Sequence, residues 1–121
     1  YYQESLEQMT SVGSKLTKKI LNLKDPPTAI ICSQDKYFIG CLQECQKRGL
    51  EVPKDISLVG YNDHDNYLSS QNLTFISHPL SEMGKMAVEI LENIENGVAP
   101  KKLSKLIEPI LNKGKSDKKI N

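Results

Sequence analysis

Three short apolar runs, "AIIC" at 29–32, "ISLVG" at 56–60 and "LTFIS" at 73–77, alternate with longer segments of helical spacing. This alternation constrains the fold more than any other feature. A run apolar at nearly every position suits a strand covered on both faces, as in a parallel sheet. Strands separated by helices build α/β layers joined by right-handed crossovers. The class expected is therefore α/β: a three-layer arrangement with a largely parallel sheet flanked by helices.

The helical segments are readable from period and punctuation. Val12, Leu16, Ile20 and Leu23 recur at helical spacing in "SVGSKLTKKILNL". Thr10 or Ser11 can cap that helix, and Pro26 and Pro27 stop it. The preceding "YYQESLEQM" either extends the helix or forms a loop. Positions 38, 41, 42 and 45 give a second helical stripe between Lys36 and Arg48, with Gly49 as its stop. A third stripe, Leu80, Met83, Ala87, Ile90 or Leu91, and Ile94, starts beside Pro79 and ends at Gly97, with Met83 and Met86 as expected core filler. "LIEPILN" reads as a final strand, which Pro109 moves to a sheet edge. "YNDHDNYLSSQN" reads as an irregular polar loop.

Composition narrows the function classes. With 38% hydrophobic and 26% charged residues the chain has a globular balance, and its net charge of +1 supplies no general attraction to nucleic acid or anionic lipid. No apolar run approaches the roughly 18 residues of a membrane span. The lysines of "NKGKSDKKIN" read as a solvated, disordered tail over 114–121, leaving 1–113 as the folded part. Residue 1 is Tyr, so the sequence reads as the interior of a longer gene product. Cys32, Cys41 and Cys45 are odd in number and form no CxxC pair, which fits free thiols in a reducing, cytoplasmic setting. His64 and His78 are the only histidines, too few and too dispersed to suggest a metal centre. There is no GxSxG elbow and no Gly-rich phosphate loop, so neither an enzyme nor a cofactor is expected.

In an open α/β sheet, ligands bind beyond the carboxyl ends of the strands. Three polar stretches fall there: "SQD" at 33–35, "YNDHDN" at 61–66 and "SHP" at 77–79. Local pattern alone leaves each with a structural alternative. Asp35 can cap the helix that follows, and the 61–66 loop can be held by its own side chain–backbone hydrogen bonds.

The ordered residues "PTAIICSQDKYFIGCLQECQKRGLEVPKDISLVGYND", followed by "LTFISHPLSEMGKMAVEILENIENG", resemble the sensor domain of the LacI/GalR family of bacterial transcription regulators. The resemblance is close over residues 27–97. It implies a truncated C-terminal lobe of a type 1 periplasmic-binding-protein-like fold, with a small effector (a sugar, a sugar phosphate or a purine-like nucleobase) bound between two lobes. It also implies a homodimer, and operator DNA bound only through an N-terminal helix-turn-helix outside this sequence, with no membrane partner. By that resemblance Asp35 is the effector-contacting acid, with Gln34 standing where Asn is usual. Tyr61 fills the family's aromatic position, Asn62 replaces a frequent Asp, His78 replaces a common Gln, and Met9 falls near a pocket-wall segment. The same resemblance places part of the 36–48 helix, with Tyr37, Phe38, Cys41 and Cys45, at a subunit interface. A solute-binding protein of a sugar transporter shares the fold and is the alternative; a small α/β enzyme is the third reading.

Overall fold

The computed structural model describes residues 2–63, 66–100 and 104–119. Helix α1 spans Tyr2–Leu21, β1 Ala29–Ile31, α2 Asp35–Lys47, β2 Ser57–Tyr61, α3 Tyr67–Ser70, β3 Phe75–Ser77, α4 Leu80–Glu95 and β4 Ile110–Asn112. The sheet runs β1-β2-β3-β4. β1 pairs parallel to β2 with Ile31 opposite Val59, and β2 parallel to β3 with Tyr61 opposite Ile76. The α/β class and the parallel sheet are as expected from sequence. From Tyr2 onward α1 absorbs the ambiguous "YQESLEQM", which holds no helix-breaking residue. The 61–72 loop contains the short helix α3. Gly49 and Gly97 sit at φ +71° and +85°, the left-handed geometry that closes a helix at little cost only with glycine.

The chain divides into two compact units, residues 1–77 with 111–121, and residues 78–110. In the first unit Cys32, Phe38, Cys41, Cys45, Ile56, Leu58, Leu68 and Phe75 make one buried cluster. α1 meets α2 through two glycines rather than through its apolar stripe. A Cβ on Gly40 would lie 2.1 Å from the Thr10 carbonyl oxygen, and one on Gly13 would lie 2.6 Å from that of Tyr37. The face of α1 turned inward therefore carries Gly13 and Thr17, both buried, while Val12, Leu16 and Leu23 stay exposed. At the far end of this crossing Arg48 ties the helices together. It donates to Glu44 at 2.9 Å, to the Asn22 side-chain oxygen at 2.9 Å and to the Lys18 carbonyl at 3.3 Å.

The stretch from 114 is not the disordered tail expected from its lysines. Leu58 N–H donates to the Ser116 carbonyl at 2.7 Å, Ser116 Oγ donates to the Leu58 carbonyl at 2.7 Å, and Thr74 N–H donates to Ser116 Oγ at 2.8 Å. Ser116 is buried, and Asp117 accepts from the Thr74 hydroxyl and from Lys113. The segment is held by backbone-directed hydrogen bonds, which its charged composition conceals. Residues 120–121 lie outside the described residues.

The second unit is described by itself. α4 begins one residue after Pro79 and has no buried residue. Its expected core stripe is open: Leu80, Met83, Leu91 and Ile94 are all exposed, and Met86 is only partly covered. β1 likewise departs from the two-faced burial expected, since Ile31 keeps 70% of its surface.

Candidate functional site

Because β1, β2 and β3 run parallel and in close register, their carboxyl ends lie along one edge of the sheet. Each end hands over to a polar segment. After β1, Cys32 N–H still bonds to the Val59 carbonyl at 2.8 Å, and the chain then leaves the sheet through Ser33 and Gln34 into α2. Gln34 is the N-cap residue, in extended backbone with no side-chain cap, and is exposed. Asp35 is the first residue of α2 and only 2% exposed. Its Oδ1 accepts the Lys36 N–H at 2.7 Å, so the carboxylate is anchored at the positive end of the helix.

β2 delivers Tyr61 and Asn62 to the same edge, both half-buried. Asn62 has φ +61°, a left-handed turn that asparagine tolerates, and its N–H donates to the Ile76 carbonyl at 2.7 Å. The next residue plays a structural role. Asp63 accepts the N–H groups of Leu68 and Ser69 at 2.8 and 2.9 Å, which fastens α3 to the loop. His64 and Asp65 lie outside the described residues. At the end of β3, Ser77 Oγ accepts a hydrogen bond from the Asn112 side-chain amide at 2.8 Å. His78 falls in the second unit.

Asp35, Gln34, Tyr61 and Asn62 thus share the carboxyl edge. Met9 is half-buried on α1, one turn before the glycine that packs on Tyr37. An open groove of about 580 Å³ also runs between α1 and α2, lined by Thr10, Ser14, Lys36 and Gln43 among others and by none of the five expected ligand residues. The interface set needs correction. Phe38, Cys41 and Cys45 are 0%, 1% and 0% exposed within this one chain, where they belong to its own core cluster rather than to an open face of α2. Tyr37 and Leu42 also pack against this core. Asp63 and Ser116 are the structural residues that sequence reasoning missed; an acid followed by a helix start at 67 was the one available signal for the former.

Among the described residues, no group of three His, Cys, Asp or Glu is arranged to hold a metal ion, and no helix is long and apolar enough to cross a membrane.

Residues 2–116 match the model of the periplasmic binding protein-like domain. The transcriptional repressor CytR of Escherichia coli K12 is 36% identical over 80 residues, 65% of this chain and 24% of that protein. The repressor PurR of Aliivibrio salmonicida is 40% identical over 82 residues, 67% of this chain and 25% of the relative. The crystal structure of a LacI-family regulatory protein from Chloroflexus aggregans superposes with a TM-score of 0.78 at 28% identity, covering 90% of this chain and 40% of that one. The chain spans about a quarter of the length of these curated relatives.

Proposed function

We infer the function from one premise: the chain belongs to the periplasmic binding protein-like domain family, as sensor-domain sequence of the LacI/GalR regulator type. Our reading is that the parent protein is a cytoplasmic, non-enzymatic transcription regulator. It binds a small polyhydroxylated or nucleobase-like effector and controls operator binding by a separate helix-turn-helix. Asp35 accepts effector hydroxyls, Gln34 and Asn62 supply amide contacts, Tyr61 provides a flat wall and Met9 an apolar one. The protein works as a homodimer. The names of the relatives favour this reading over a transporter's solute-binding protein.

The observation that carries it is the buried Asp35 carboxylate, fixed at a helix start on the edge where the parallel strands end. A charged acceptor in such a place makes strong hydrogen bonds, roughly 1.5–3 kcal/mol each. The mechanism is linkage: an effector that binds one arrangement of the sensor better than another shifts the population, and DNA affinity follows.

The test is a titration of the isotopically labelled chain with ribose, ribose 5-phosphate and cytidine, followed by amide chemical shifts. Weak, saturable shifts confined to 33–36 and 61–62 are expected for one of the three. Shifts elsewhere, or none with any of them and none in a thermal-shift screen of the full-length gene product, overturn the assignment.

A further inference from the structure

The chain passes between its two compact units twice. It leaves the first unit after Ser77, the last residue of β3, and returns at Leu111, inside β4. The two passages belong to neighbouring strands, since β3 and β4 are adjacent in the sheet. Their relative direction follows from three hydrogen bonds. The Asn112 amide donates to Ser77 Oγ at 2.8 Å, Gly114 N–H donates to the Thr74 hydroxyl at 2.9 Å, and Lys115 N–H donates to the Asn72 carbonyl at 2.7 Å. Partner numbers fall from 77 to 72 as residue numbers rise from 112 to 115, so the strands are antiparallel. Within the second unit, Pro79, Leu80 and Ile110 line one open cleft of about 520 Å³, so the passages are still neighbours there.

The Ser77–Asn112 bond stands at the boundary itself and is partly buried. Pro79 lies two residues beyond Ser77, and Pro109 lies three residues before Asn112. Neither proline carries an N–H, so an unbroken backbone ladder cannot run from the sheet into residues 78–110. Their fixed φ also confines bending to the few residues between each proline and the sheet. Short segments at element ends are where hinges are built.

We propose that Ser77 and Asn112 latch a two-strand hinge, so that residues 78–110 move as one body with both passages bending together. Its bearing on effector sensing rests on the function proposed above; the latch itself does not.

The latch selects among motions. Bending two joined strands together keeps the side-chain bond, whereas splaying or sliding them breaks it. A neutral hydrogen bond of this kind favours the joined state by only about three- to tenfold. It therefore steadies the hinge without freezing it.

The experiment follows backbone amide exchange in the folded 121-residue chain, with urea unfolding read by tyrosine fluorescence. Tyr37, Tyr61 and Tyr67 belong to the first unit, so the fluorescence reports that unit. In the wild type, amides of α4 should exchange about tenfold or more faster than those of β2, because the two units open separately. Ser77→Ala removes the acceptor. Asn112→Leu removes the donor at nearly constant volume. Each should raise exchange at 76–78 and 110–112 by about three- to tenfold, with the fluorescence midpoint unchanged. The double variant should add nothing further, since one bond is lost in all three. Exchange of α4 in step with β2, unchanged exchange at the passages, or additive effects in the double variant overturns the proposal. So does a fall in midpoint large enough to account for the faster exchange, which would make the bond a part of the first unit's general stability. If one variant fails to fold, the other and the wild-type exchange pattern still decide. No effector enters any arm, so failure of the effector reading leaves these results unaltered.

Discussion

Replacing Gly40 by alanine is expected to destabilise the first unit, although alanine is the better helix former. A Cβ at this position would stand 2.1 Å from the Thr10 carbonyl oxygen, 2.7 Å from the Ser14 nitrogen and 3.0 Å from the Thr10 carbonyl carbon. All three are backbone atoms of α1, so no side-chain rotation relieves them. Carbon–oxygen contacts settle near 3.3 Å or beyond, and α1 must withdraw by about 1 Å. A gap of that size forfeits a quarter to a half of each dispersion contact across the interface. Overpacking of this kind costs about 1–3 kcal/mol and occasionally more, with the upper part of that range apt for a backbone-to-backbone clash. The helix propensity gain of alanine over glycine returns about 1 kcal/mol. The net expectation is a loss of about 2 kcal/mol. Gly84 on α4 is the control, because nothing lies within 4 Å of its added Cβ. There the same substitution stabilises its helix by about 1 kcal/mol. The chain has no Trp, and its tyrosines, Tyr1, Tyr2, Tyr37, Tyr61 and Tyr67, all belong to the first unit. Tyrosine fluorescence therefore reports that unit alone in urea, while far-ultraviolet circular dichroism also senses α4. For Gly40→Ala the fluorescence midpoint should fall by on the order of 1 M urea. A midpoint equal to or above wild type would refute the close helix crossing on which the reasoning stands.

Ser116→Ala removes the hydroxyl shared by Leu58 and Thr74 and leaves buried backbone groups unpaired; a loss of about 1–3 kcal/mol is expected in the same fluorescence titration. Acid should loosen both the Arg48 clamp and the C-terminal clasp. Arg48 holds the Glu44 carboxyl below its ordinary value of 4.5, and Lys113 holds Asp117 below 3.8. Their contributions are present above the unfolded values and vanish as pH falls through the lower folded ones, so stability should drop below about pH 4.5. Arg48→Met should flatten that part of the pH profile, measured as urea midpoint against pH. Asp35→Asn in the full-length regulator should weaken effector affinity by about 10- to 100-fold in calorimetry with little change in unfolding temperature.

The strands were legible because a short apolar run between Pro, Asp and Gly has few other uses, and "AIIC", "ISLVG" and "LTFIS" each contain one. The Asp35 and Tyr61 tips were legible for the same reason, since parallel order fixes which strand ends share an edge. The inner face of α1 was not. A glycine-mediated crossing buries Gly13 and Thr17, which carry no hydrophobic period, and it leaves the periodic residues Val12 and Leu16 outside. Phe38, Cys41 and Cys45, which the resemblance placed at a subunit interface, lie instead in the chain's own core, because residues of β2, α3 and β3 pack around them. The 113–119 segment was hidden by its lysines. Its order comes from Ser116 and Asp117 bonding to β2 and β3, and polar capping contacts leave no compositional trace.

The division of the chain bears on how a site of this kind can work. The glycine crossing, the Arg48 clamp and the Ser116 clasp all close within the first unit, which also carries Asp35 and Tyr61. On the function proposed above, groups oriented in advance by such contacts leave little ordering cost to oppose effector binding. Yet a rim on one sheet edge covers only one side of a solute, and pockets that hold small molecules tightly enclose most of their surface. Affinity must then depend on a second surface that meets the effector across from the rim. That dependence is what makes sensing possible, because a ligand shifts a conformational equilibrium only by the difference in its contacts between the two states. On the proposed function, a half-site that binds weakly alone would leave nearly all of its binding energy to the closed arrangement.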